Sequence, residues 1–154
     1  QISEGKVTQN YNLIGKAVAE AVKNENIDKG PRLFCDRQFY DMVSKNASRQ
    51  ILIQIRDHIG IYEILWPMPY IMEKGINRYQ ELLEISLNLW LYFNHEEYGL
   101  HYFKLLELIV KSIFEAYKTN KNEYQRIMDV VKEKFHNKSV DIKKIRHILS
   151  AYCI

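Results

Sequence analysis

Ser48-Arg49-Gln50-Ile51-Leu52-Ile53-Gln54-Ile55-Arg56-Asp57-His58-Ile59-Gly60-Ile61-Tyr62-Glu63-Ile64-Leu65-Trp66-Pro67-Met68-Pro69 is the stretch on which the reading of the chain turns. Its apolar residues Ile51, Leu52, Ile55, Ile59 and Tyr62 recur at helical spacing, while Arg49, Arg56, Asp57 and Glu63 fall on other faces. That spacing predicts one amphipathic helix from about Ser48 to Trp66. Trp66-Pro67-Met68-Pro69 then reads as a firm chain reversal, because each proline lacks an amide donor and disfavours helical geometry in the residue before it.

Outward from this segment the helical pattern continues in both directions. Upstream, Tyr11, Ile14, Val18, Ala21 and Val22 predict a helix over about Thr8 to Asn24, with Thr8 as N-cap. Glu25 to Arg32 lacks apolar periodicity and contains Lys29-Gly30-Pro31, so it reads as an exposed loop; a short helix with Phe39, Tyr40 and Val43 is expected from about Asp36 to Lys45. Downstream, helices are predicted over about Asn77 to Asn94, over about Leu100 to Tyr117 after a break at His95-Glu96-Glu97-Tyr98-Gly99, and again after Lys121. A last helix starts near Val140, with Ile142, Ile145, Ile148, Leu149 and Tyr152 on one side. The expected fold is therefore all-α, a compact bundle of six or seven amphipathic helices in a single domain spanning residues 1–154.

Composition bounds the partners. The chain has 154 residues, 47% of them hydrophobic, enough for one core, and its 22 Lys and Arg are scattered among 19 Asp and Glu rather than massed. That distribution lacks the footprint of a nucleic-acid binder, and no apolar run is long enough to insert in a membrane. The chain begins with Gln1, so an N-terminal segment is expected to have been removed. Asn46-Ala47-Ser48 and Asn137-Lys138-Ser139 satisfy the glycosylation rule. Cys35 and Cys153 admit two readings: a disulfide closing most of the fold, worth roughly 4 kcal/mol in the chain-entropy model, or two buried free thiols.

Traces of catalysis are sparse. The sequence has no phosphate-cradling glycine loop, nucleophile elbow, paired-histidine zinc helix or pair of Cys-x-x-Cys knuckles, so a binding role without cofactor or metal is expected in place of an enzyme. His95, Glu96, Glu97 and His101 hold ligand-type side chains, but the two histidines are separated by Gly99 and would not share a helical face. His58 reads as solvent-facing or hydrogen-bonded, and Cys35, beside Asp36 and Arg37, has no assignable histidine partner. Eleven tyrosines are available both for the core and for surfaces where proteins meet.

Ser48 to Ile55 through Tyr62-Glu63-Ile64-Leu65-Trp66-Pro67 resembles the third helix of the class II helical cytokines, the interleukin-10 and interferon-gamma group, which ends in an apolar-apolar-Pro step. Asn120 to Tyr124 through Val130 to Phe135, followed by Ile142-Lys143-Lys144-Ile145 and Ile148-Leu149, is similar to the closing pair of helices in that family, and Tyr152-Cys153-Ile154 resembles a Cys-Ile terminus found within it. With two cysteines the chain can form only one disulfide, and its region from Gly75 to Tyr117 is longer than in those relatives, so an interferon-like divergent member is implied.

The resemblance implies a secreted, extracellular glycoprotein in immune or antiviral signalling, modified at Asn46 and Asn137, that brings together the two chains of a cell-surface receptor, as a monomer or a homodimer. By position it points to Asn26, Asp28, Lys29 and Arg32 in the loop, and to Lys143, Lys144, Arg146 and His147 on the last helix, as receptor-binding residues. A Cys35–Cys153 bond would then hold that loop close to the last helix. An intracellular helical scaffold or adaptor is the alternative.

Overall fold

The computed structural model describes residues 27–28, 30–43, 51–55, 58–74 and 76–138. The expected helices before Asn24 and after Val140 lie outside the described residues. So do Asn26, Lys29, Asn46, Lys143, Lys144, Arg146, His147 and Cys153.

The all-α, cytokine-like bundle of six or seven helices is overturned: among the described residues, five helices pack with a three-stranded antiparallel sheet. In chain order these are β1 (Leu33–Asp36), α1 (Arg37–Val43), β2 (Leu52–Gln54), β3 (Ile61–Ile64), α2 (Met68–Lys74), α3 (Ile76–Phe93), α4 (Gly99–Tyr117) and α5 (Lys121–Asn137). The single helix expected over Ser48 to Trp66 is instead the β2–β3 hairpin. Its turn closes through the Ile55 amide donating to the Ile61 carbonyl at 3.1 Å and the Ile61 amide to the His58 carbonyl at 3.1 Å. Gly60 there takes φ +82°, a left-handed geometry that glycine adopts without penalty.

The reason lies in side-chain type. Ile51, Ile53, Ile55, Ile59, Ile61 and Ile64 are β-branched, stiff at χ1 and favoured on a pleated surface. Because the apolar residues cluster in two short runs, Ile51-Leu52-Ile53 with Ile55 and Ile61-Tyr62 with Ile64-Leu65, spacings of two and of three to four are both satisfied, and the turn at Gly60 decides between them. Leu33–Asp36, of which only Asp36 falls in an expected element, the start of the short helix, forms the second outer strand, so the order is β1-β3-β2.

Register separates the faces of the sheet. Cys35 and Gln54 both oppose Tyr62, and Leu33 and Leu52 both oppose Ile64, so these residues share one face. It is covered by α1, whose Tyr40 ring stacks on Tyr62 at 4.0 Å between centroids. Asp36 caps α1, its carboxylate accepting from the Phe39 amide at 2.8 Å. Phe34, Glu63 and Ile53 lie on the other face, toward α4.

The reversal expected at Trp66 to Pro69 leads directly into α2, since a proline in the first turn of a helix loses no intrahelical bond. Helices α3 and α4 lie within a residue or two of their expected spans, and α5 begins at Lys121, where a helix is expected. Tyr79, Leu83 and Leu87 of α3 meet Leu106, Ile109, Val110 and Ile113 of α4 and Ile127, Val131 and Phe135 of α5 in the main core. Full burial of each such side chain contributes about 1.5–3 kcal/mol before entropy is counted. Helix α4 is the hub: it is buried on the α3 side through this cluster and on the sheet side through Leu108, which packs with Leu65 and Met68.

Candidate functional site

Six charged residues converge where the loop before β1, the central strand β3 and the helix α4 meet. Glu63 lies at the middle of the sheet, 0% exposed, facing α4. Arg32 donates from Nε to its Oε1 at 2.5 Å and from Nη2 to its Oε2 at 2.7 Å, and Lys111 Nζ donates to Oε2 at 2.5 Å. Arg32 also pairs with Asp28 and approaches Glu107 at 3.8 Å; Lys104 joins Asp28 at 2.9 Å and Glu107 at 3.0 Å. Three acids balance three bases, so the cluster is buried without net charge.

Burial pushes the Glu63 carboxyl up, but the Arg32 hydrogen bonds and the Lys111 charge outweigh it and hold the group below the usual carboxylate range. For Arg32 and Lys104 desolvation lowers the pKa, and their acidic partners more than reverse it, so both are raised. All three are therefore charged through the neutral pH range.

Asp28 and Arg32, expected to meet a receptor, thus turn inward; the Arg32 side chain is only 11% exposed. Their role here is to clamp the loop. Gly30 lets it come close: it has φ +96°, and a Cβ there would stand 2.5 Å from Lys104 Cβ and 3.3 Å from the His101 carbonyl oxygen. The network was not legible because Glu63 reads as a solvent-facing residue of a helix. A signal existed in Lys104, Glu107 and Lys111, charges at i, i+3 and i+7 on one face of a helix whose core-facing side is apolar.

The clamped loop joins two groups of exposed aromatics. On one side the indole Nε1 of Trp66, 44% exposed, donates to the Pro31 carbonyl at 2.9 Å. On the other, Gly30 abuts His101, whose ring meets Tyr102 at 5.7 Å; Tyr102 stacks on Phe93 at 4.7 Å, and Phe93 meets Tyr92 edge-on at 4.7 Å. Tyr92 is 79% exposed, and Tyr98, at the turn between α3 and α4, is 64% exposed. Gly99 makes this turn tight, because a Cβ there would sit 2.9 Å from the carbonyl oxygens of Phe93 and Asn94. Trp66 on one side and the His101–Tyr102–Phe93–Tyr92 series on the other therefore flank the loop as a discontinuous aromatic strip, in which Tyr102 and Phe93 are half-buried.

The remaining sequence candidates sit apart. His95, Glu96, Glu97 and His101 are exposed, and no cluster able to hold a metal ion occurs among the described residues. His58 is exposed in the hairpin turn. Cys35 is a buried free thiol whose pKa is pushed up to about 11, by burial and then by the charge of Asp36; its expected partner Cys153 is outside the described residues. Asn137, the last residue of α5, is exposed. No described helix is long and apolar enough to cross a membrane. In comparisons with known proteins, no family model, no curated protein and no solved structure matches the chain.

Proposed function

We propose that this chain is a protein-binding module that does no chemistry of its own, its contact surface being the aromatic strip from Trp66 to Tyr92. The observation that carries the reading is the pairing of exposed rings with a rigid base. Tyr92, Tyr98 and Trp66 present large apolar bodies with polar tips, the side chains that dominate binding where proteins meet. The ion-pair cluster beneath holds the intervening loop in place, so little order must be imposed on association.

A photo-crosslinking residue at Tyr98 tests it, with the same residue at the exposed Lys132 of α5 as control. Discrete protein adducts from Tyr98, lost in a Trp66→Ala, Tyr92→Ala background, are expected. Adducts that are absent, or equally abundant from Lys132, would overturn the reading.

A second reading, a secreted ligand of a two-chain receptor, draws support from the exposed Asn137 in its acceptor triplet. It does not draw on the fold, since residues 52–54 and 61–64, within the segment that resembles a cytokine helix, are strands. Its check is the mass of secreted protein before and after glycosidase, with no loss counting against it.

A further inference from the structure

We propose that one buried water molecule belongs to this fold, held where α3, α4 and α5 meet by the Tyr79 hydroxyl and the Glu123 carboxylate. Tyr79 of α3 is 0% exposed, and its hydroxyl has no hydrogen-bond partner; the Gln80 amide acts on it without reaching hydrogen-bond geometry. Oε1 of Glu123, in the first turn of α5, is likewise buried and unpartnered, so the two groups do not bond to each other directly. Native interiors seldom leave such groups unsatisfied. From α4, the Tyr117 ring meets Tyr79 edge-on at 6.1 Å. Burial raises the pKa of both phenols most, and the negative charge of Glu123 raises both further, with Gln80 and Arg126 opposing at Tyr79. The carboxylate therefore lies close to both rings.

The first turn of α5 explains why the carboxylate is available. Asn120 caps the helix by accepting from the Glu123 amide at 3.2 Å, and a glutamate at this place ordinarily reaches back to the cap's own amide. That amide instead donates to the Tyr117 carbonyl at 2.9 Å. Arg126 is no substitute, since its Nη1 stands 3.9 Å from Oε2, beyond hydrogen-bond reach. What joins the two groups must accept from a phenol and donate to a carboxylate. A metal cation or an ammonium ion lacks the acceptor, and a halide lacks the donor. Water has both, and it is the usual ligand of buried polar groups that protein atoms leave unmet.

A crystal structure of the whole chain, at a resolution that places solvent, is the direct test. Expected is one ordered water within hydrogen-bond distance of both Tyr79 Oη and Glu123 Oε1; a dry junction, or the two groups bonded directly, would overturn the proposal. Thermal unfolding gives a second reading that needs no crystal. Tyr79→Phe and Glu123→Met each strand the other group and should lower the midpoint by roughly 2–4 °C, whereas the double variant, with nothing left to bridge, should lose clearly less than the sum. Strictly additive losses, or no loss from Tyr79→Phe, would overturn it as well. Neither result bears on crosslinking at Tyr98, so the protein-binding reading stands or falls separately.

Discussion

Arg32 and Glu63, 31 residues apart, meet as a two-pronged ion pair at 2.5 and 2.7 Å with the carboxylate fully buried. This pair fastens the loop before β1 to the central strand. The sheet, the loop and, through Lys111, the hub helix are thereby held in one arrangement.

Removing one side of a buried pair leaves the other uncompensated, so Glu63→Gln is expected to lower stability by about 3 kcal/mol. Lys111→Met in that background should recover part of the loss, because it removes one of the stranded cations. Urea unfolding of the single and double variants measures both.

The same group sets an acid limb. The folded pKa of Glu63 is depressed, so its contribution is fully present above the unfolded carboxylate value of about 4.3 and is lost as pH falls through the folded value. Lys104, whose pKa is raised, contributes below the unfolded value of about 10.4 and loses that contribution as pH rises through the folded one. Unfolding midpoints across pH should show the native chain and Glu63→Gln converging below about pH 4.

Gly30 and Gly60 share positive φ but differ in surroundings, which separates strain from collision. Gly60→Ala meets open space and is expected to cost about 1 kcal/mol for the left-handed backbone alone. Gly30→Ala adds the 2.5 Å encounter with Lys104 Cβ, so a larger loss of about 2–3 kcal/mol is expected, read by thermal or urea unfolding.

Cys35 should be chemically quiet in the folded chain. With a pKa of about 11, roughly one thiol in a thousand is ionised at pH 8, and burial blocks access as well. Labelling by a thiol reagent is expected only on unfolding; counting thiols with and without reductant also reports on any bond to Cys153.

Tyr92→Ala alters an exposed side chain and should shift stability by less than about 0.5 kcal/mol, whereas Trp66→Phe also loses the indole hydrogen bond to the Pro31 carbonyl and should cost about 1 kcal/mol. A circular dichroism melt of Tyr92→Ala close to that of the native chain, together with loss of adducts from the crosslinking residue at position 98, separates a binding defect from a folding one.

The three long helices were readable from residue order because each offers a full apolar stripe bounded by a stop signal: Leu83 and Leu87 before His95 to Gly99, Ile109 and Ile113 before Lys118, and Ile127 and Val131 after the Asn120 cap. Local periodicity and capping suffice there, since turns three and four residues apart meet regardless of distant partners. Glu63 is the opposite case. Whether it faces water or the interior depends on pairing β3 with strands whose other members are Leu33 to Asp36 and Leu52 to Gln54, and on Arg32 and Lys111 arriving from 31 and 48 positions away. Strand pairing and charge compensation are non-local, so only the folded chain decides them; the burial of Asp28 and Arg32 and the line of rings from Trp66 to Tyr92 follow from that decision.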